Sequence, residues 1–267
     1  MRIYSDCREL MSEMGRDLWE MGHIVKPKTY QNKVIEGNED FETKEIISEQ
    51  YCLTSLDNWE YLFAYTESEV WADLEYQERV SGKEINPGHA YELRSEMWEQ
   101  FLVDGKFDYS YPERFNQVVN YKGEDVTLLK AIALQLSTDP DTRKAILPVF
   151  GSYVRINDIT TINYERDIDR LDGSKRIPCS MYYDFLLREG RLNILYHQRS
   201  SDFIDHFGND VYLAWRLMEY MVHLVNQQLS SWSKPIKTGY LYHTIDSLHA
   251  YKKDWVKLKS NVDDYIN

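Results

Sequence analysis

The hydrophobic period changes once between Pro178 and Leu229, and that change constrains the fold. Met181, Tyr183, Phe185 and Leu187 alternate with their neighbours, and so do Leu192, Ile194 and Tyr196. A period of two belongs to strands with one buried face. The intervening "REGR" offers Gly190 for a tight turn, so the pair reads as a β-hairpin. From Asp210 to Leu229 the spacing becomes helical, with Val211, Ala214, Trp215, Met218, Val222 and Val225 on one face. Strands and helices alternate irregularly along the chain, and no βαβ unit carries a Gly-rich phosphate loop. This predicts an α+β fold and not a doubly wound dinucleotide fold.

The same periodicities predict a helix over 5–22, with Leu10, Met14, Leu18 and Met21 at helical spacing. Residues 28–37 read as a polar loop entering a strand. Helical patterns occupy 55–80 and 91–103, and an amphipathic helix runs over 125–140. A short strand follows over 143–150. "TGYLYHTI" is expected to be a strand, and 246–259 a helix capped by Asp246 or Ser247. No repeat, low-complexity tract or linker divides the 267 residues, of which 43% are hydrophobic, so one domain spanning 1–267 is expected.

The net charge of −13 excludes a general nucleic-acid binder, although a local basic pocket could still hold one small phosphate. No apolar run approaches the length of about eighteen residues that a membrane span needs, and the polar start "MRIYSDCRELMSEMG" is unlike a signal peptide. Cys7, Cys52 and Cys179 are too few and too scattered for a disulfide framework or a thiolate metal cluster. A cytoplasmic protein with no metal, no nucleic acid and no membrane partner is expected.

A lone cysteine is most often a buried small hydrophobe. Cys179, however, follows Pro178 and the basic pair Lys175 and Arg176, and Arg199 lies on the neighbouring strand of the hairpin. Cationic neighbours lower a thiol's pKa and favour the nucleophilic thiolate. The wider spacing adds to this: Pro178-Cys179, then "QRSSD" with Arg199, then a helix, then "SLHAY". Upstream lie "EMWEQFLVDGKFDYSY" and "DPDTRKAILPVF". In this order, from about Lys28 to Tyr251, these segments resemble the thymidylate synthase family.

The departures resemble one branch of it, the deoxycytidylate and cytidylate 5-hydroxymethylases. Asp210 stands where synthases place Asn, Ser180 follows the cysteine in place of His, and "NVDDYIN" is unlike the short apolar synthase tail. Uracil offers an N–H and a carbonyl, which one Asn amide can meet. Cytosine offers a bare ring nitrogen and an amine, for which a carboxyl that holds or shares a proton is the expected partner. An acid at a helix N-terminus is also common for its interaction with the helix dipole alone.

The resemblance implies a thymidylate synthase-like mixed sheet with packed helices, and a homodimer through the sheet face. It implies that Cys179 is the nucleophile, with Tyr111 nearby and a catalytic acid at Asp73, with Glu75 as the alternative. Arg199, Ser200 and Lys28 would hold the nucleotide phosphate, joined by Arg143 and Lys144 of the second subunit. Asp210 would read the base, His249 and Tyr251 would contact the sugar, and Trp98 and Asp202 would bind the folate. The implied activity is hydroxymethylation of a cytidine 5′-monophosphate with 5,10-methylenetetrahydrofolate. Thymidylate synthesis, uridylate hydroxymethylation and an inactive nucleotide-binding homologue remain alternatives.

Overall fold

The computed structural model describes residues 1–30, 33–66, 68–151, 153–156, 159–162, 167, 175–229 and 234–266. Its principal sheet comprises β1 (Arg2–Tyr4), β2 (His23–Val25), β3 (Thr43–Leu53), β4 (Ile146–Pro148), β5 (Ser180–Arg188), β6 (Arg191–Gln198), β7 (Ser201–Asp202) and β8 (Lys237–Tyr251). The order is β1-β3-β8-β6-β5-β4, with β2 also on β3 and β7 also on β8. β8 runs antiparallel to β3 and parallel to β6 and β7, so the sheet is mixed, as expected of an α+β chain.

The hairpin is the one the alternation predicts. Phe185 faces Ile194 and Leu187 faces Leu192 across β5 and β6. The two turn residues, Glu189 and Gly190, have φ of 52° and 73°. That double left-handed turn matches the twist of the paired strands. The long helices are α1 (Cys7–Met21), α2 (Glu69–Arg79), α3 (Leu128–Thr138), α4 (Gly208–Gln228) and α5 (Trp255–Ile266). Asp6 caps α1, its side chain accepting from Glu9 N–H at 2.9 Å. Val211, Met218, Met221 and Val225 of α4 are fully buried in one core with Phe185, Leu192 and Ile194 of the sheet.

Three expectations are corrected. Residues 246–259 do not form one capped helix: β8 continues through "DSLHAY" to Tyr251, and α5 begins only at Trp255. The backbone there is claimed from both sides, since Ser247 pairs with Ile47 while Leu248 and His249 pair with Ser201 and Asp202. Main-chain pairing to two neighbouring strands outweighs a local capping signal. Over 125–140, Asp125–Thr127 belong to a hairpin strand, Glu124–Thr127, and the helix starts at Leu128 under a Thr127 cap. Over 91–103 the pattern yields only three short turns, Ala90–Arg94, Ser95–Trp98 and Glu99–Phe101. The side chains of the tail "NVDDYIN" lie outside the described residues.

Gly208, the first residue of α4, fixes how that helix enters the fold. A Cβ there would sit 1.8 Å from the Leu62 carbonyl oxygen, inside the turn Trp59–Phe63. Gly208→Ala must push backbone apart, and is expected to cost about 1–3 kcal/mol and to lower the midpoint of thermal unfolding. An unchanged melting curve would show that the contact is not a constraint.

Candidate active site

Beyond the end of β6 the chain leaves the ladder at Arg199 and Ser200, and rejoins it as β7 on the same strand β8. A cavity of about 490 Å³ opens there. It gathers Cys179, Arg199, Ser200, Asp202, Asp210, His249, Tyr251, Tyr111 and Trp98, which lie far apart in the sequence. Its size is typical of small-ligand sites.

Cys179 precedes β5, and its carbonyl accepts from Arg199 N–H at 2.9 Å. The Arg199 guanidinium donates to the Pro178 and Ile177 carbonyls at 3.0 and 3.2 Å, and lies 3.7 Å from Cys179 Sγ. The cationic surroundings expected for the thiol are therefore present, but they do not win. Burial raises the thiol pKa; Arg199 opposes this, Asp210 adds to it, and Arg176 opposes it again. The expected lowering is thus corrected to a net rise. Tyr111 hydroxyl lies 3.3 Å from Ser180 Oγ, beside the cysteine. Burial lifts its pKa well above the ordinary phenol value, so it remains a neutral donor.

The two acids weighed on α2 separate. Asp73 does not line the cavity, and its carboxylate accepts from the Tyr212 hydroxyl at 2.7 Å. Glu75 does line it, and accepts from Arg79 Nε at 2.7 Å. Two residues along a helix is about 200° of rotation, enough to send the two side chains apart. Arg79 is buried beneath Tyr111, 4.0 Å from the ring centroid. Burial disfavours its charge, yet Glu75 beside it, with Tyr183 and Tyr111, leaves its pKa raised.

Asp210, in the first turn of α4, is half-buried at the cavity wall. Its Oδ2 accepts from Gln198 Nε2 at 2.8 Å and from the Ser201 hydroxyl at 3.2 Å. Burial, only partly offset by those donors and by Arg79, pushes its pKa up to about 6. Asp202 caps the turn Phe203–Phe207, accepting from the Ile204 and Asp205 amides at 3.1 and 3.3 Å. Burial and then the charge of Asp205 raise it to about 7. His249 is held neutral by burial, with Nδ1 lying 3.4 Å from the Ser247 carbonyl, and its ring meets Tyr251 edge-on.

Other expected residues lie off the cavity. Lys28 is exposed and pairs with Glu36 at 3.1 Å, although its neighbours Pro27 and Thr29 line the wall. Arg143 and Lys144 are exposed on the loop before β4 and line no part of this chain's cavity. Among the lining residues that escaped the sequence reasoning, Arg79 had a signal in its four-residue spacing from Glu75 and His206 had none. Arg176, expected beside Cys179 as a cation, does line the cavity. Arg176 lies over Trp98 at 4.6 Å and over Phe101 at 4.7 Å, so one face of the indole is already engaged. His206 is tilted against the same indole at 5.9 Å.

Asp202 and Asp210 hold protons more tightly than the usual carboxyl value of 3.8. The folded chain therefore binds more protons than the unfolded one between those limits. The associated stability is complete below about pH 4 and is lost as pH rises through about 6 for Asp210 and 7 for Asp202. Asp210→Asn, which carries no charge, is expected to gain on the order of 1–2 kcal/mol over wild type at about pH 8 and nothing at about pH 4. Thermal melts at both pH values check this; equal curves at high pH would contradict the buried charge.

The sequence model of the thymidylate synthase family matches residues 43–264. Over 163 residues the chain is 26% identical to a deoxyuridylate hydroxymethyltransferase of Bacillus phage SP01, covering 58% of this chain and 37% of that protein. Over 168 residues it is 26% identical to a putative thymidylate synthase of Methanosarcina barkeri, covering 61% of this chain and 64% of that one. The chain thus matches less than two thirds of the length of either relative. In three dimensions it is similar to thermostable thymidylate synthase A from Bacillus subtilis, with a TM-score of 0.69 over 97% of this chain and 84% of the other, at 16% identity. The mixed sheet is accordingly that of a known fold, and the chain belongs to the thymidylate synthase family.

Proposed function

We propose that this thymidylate synthase-like chain works as one domain in a homodimer, and hydroxymethylates carbon 5 of a cytidine 5′-monophosphate. The co-substrate in this reading is 5,10-methylenetetrahydrofolate. The observation that carries it is Asp210: a half-buried carboxyl at the cavity wall, with its pKa raised to about 6 and Oδ2 already bonded. Such a group can hold or share a proton near neutral pH, and so can donate to the bare ring nitrogen of cytosine while also accepting from its amine.

In this mechanism Cys179 adds as thiolate to ring carbon 6, and the electron pair moves to make carbon 5 nucleophilic. The folate supplies a one-carbon unit at the oxidation level of formaldehyde. Carbon 5 gains that carbon and loses its proton, water contributes the hydroxyl, and the Cys179 thiolate leaves. Glu75 replaces Asp73 as the acid that organises water and relays protons, because Glu75 is the one facing the cavity. Tyr111, a neutral phenol beside Ser180, donates near the reacting carbons.

Arg199 spends part of its fork on two carbonyls that hold it in place, and with Ser200 turns its remaining donors to the phosphate. Lys28, between the lining residues Pro27 and Thr29, would join the same phosphate only by leaving Glu36, and Arg143 and Lys144 would serve the site of the second copy. His249 and Tyr251 contact the sugar. Trp98 and Asp202, both on the cavity wall, would meet the flat pterin of the folate, the Asp202 carboxyl accepting or donating at a pKa of about 7. A second reading, with a uridylate as substrate, is favoured by the name of the phage relative.

Incubation with methylenetetrahydrofolate and each of CMP, dCMP, UMP and dUMP, followed by mass spectrometry, tests the function. A hydroxymethyl product carries one oxygen more than a methyl product. Methylation of uridylate alone would overturn the proposal. Cys179→Ala is expected to lose turnover by several orders of magnitude while largely keeping nucleotide affinity, checked by product assay and calorimetry. Asp210→Asn should shift kcat/KM from cytidylate towards uridylate by roughly ten- to a hundredfold, since an unmatched buried polar group costs about 1–3 kcal/mol. Equal losses on both bases would make Asp210 structural.

A further inference from the structure

Behind Asp210 lies a file of three polar side chains that the reaction itself does not use. Tyr51, His243 and Gln198 are 0%, 1% and 1% exposed. Tyr51 hydroxyl lies 2.8 Å from His243 Nδ1, His243 Nε2 lies 2.8 Å from Gln198 Oε1, and Gln198 Nε2 lies 2.8 Å from Asp210 Oδ2. Three strands supply them: Tyr51 from β3, His243 from β8 and Gln198 from β6. The file crosses the middle of the sheet and ends at the cavity.

Valence sets its direction. An ionised Asp210 can only accept, so Gln198 must turn its NH2 towards it. The Gln198 carbonyl then faces His243, which must carry its proton on Nε2. Nδ1 is left as an acceptor, and Tyr51 must donate to it. His243 cannot escape this choice by taking a second proton, because burial pushes its pKa down to about 3. Each link admits one arrangement once its neighbour is set.

We infer that this file is a positioning device for base recognition: it keeps Asp210 Oδ2 an acceptor, so that any proton on the carboxyl resides on Oδ1. Oδ1 has no hydrogen-bond partner among the described residues. A proton on Oδ2 aimed at Gln198 would demand the reversal of the Gln198 amide, the His243 tautomer and the Tyr51 hydroxyl together; one aimed at Ser201 would turn that hydroxyl round and leave the Gln198 NH2 donating to a protonated oxygen. A proton on Oδ1 disturbs none of them. An O–H at Oδ1 suits a ring nitrogen that accepts, as in cytosine, and opposes one that donates, as in uracil. Tyr51, His243 and Gln198 thus determine specificity without touching substrate. The inference rests on Asp210 being the base reader.

The test is the ratio of affinities for CMP and UMP, measured by calorimetry on the full chain, with kcat/KM where turnover allows. His243→Phe keeps the ring that stacks on Tyr196 at 4.4 Å but removes both nitrogens, freeing the Gln198 amide to reverse. It should lower the CMP-to-UMP ratio about tenfold. Tyr51→Phe removes a single hydroxyl two side chains away from Gln198, and should lower the ratio about threefold with little loss of melting temperature. A device that served only stability would weaken both nucleotides equally, so an unchanged ratio in folded Tyr51→Phe and His243→Phe proteins overturns the inference. Wild-type preference for UMP would overturn the cytidylate reading instead; the file would still stand or fall by whether the variants move the ratio.

Discussion

The parallel ladder between β6 and β8 is the interaction on which the rest of the structure depends. It sets Gln198 beside Ile245, and pairing to β8 resumes three residues later in β7, with Ser201 beside Leu248. The two residues left out are Arg199 and Ser200. Released from strand pairing, they can turn to the cavity while both flanks remain pinned to one rigid strand. The antiparallel pairing of β5 with β6 then delivers Cys179 alongside Arg199, and β8 itself carries His249 and Tyr251 to the same opening. Groups placed on paired strands hold their mutual geometry better than groups on loops.

What could be read in the sequence follows from which physical signals are local. The hairpin and α4 were legible because each buries one face, so Phe185 and Ile194, or Val211 and Met218, announce themselves by spacing. The end of β8 was not, because its pairing partners on β3 and β7 are remote, while Asp246 and Ser247 carry a local capping signal that tertiary pairing overrides. Among site residues, Cys179, Arg199, Asp202 and Asp210 were legible through their order along the chain, and the structure brings them to one cavity. Asp73 was chosen over Glu75 by alignment of a short segment; only the rotation of α2 shows which acid turns inward. Gln198 stood in plain view inside "QRSSD", but strand alternation hides it in the core, and its role depends on His243 and Tyr51 from two other strands.

Burial outweighs charge throughout the site. Cys179 has a guanidinium within 3.7 Å of its sulfur and still holds its proton more tightly than a free thiol, and Asp202 and Asp210 do the same. A low-dielectric cavity penalises every ionised group until a ligand supplies the missing counter-charge or hydrogen bond. The Cys179 thiol is therefore neutral at rest, Asp202 and Asp210 titrate near neutral pH, and an anionic ligand would change the electrostatics of the site. The pairing of Arg79 with Glu75 shows the other solution, in which a buried charge keeps its partner permanently.

Arg176 over Trp98 bears on the order in which ligands settle. A flat ring that seeks that indole face meets an internal rival, because the guanidinium already rests there and on Phe101. A cation–π contact of this kind is worth about 0.5–2 kcal/mol. Its displacement therefore dilutes the incoming ring's affinity by about two- to thirtyfold. An anionic nucleotide settling first near Arg199 would offer Arg176 a different attraction and weaken its hold on the aromatic face. Through that one side chain, the room open to a second ligand would be conditional upon the charge of the first.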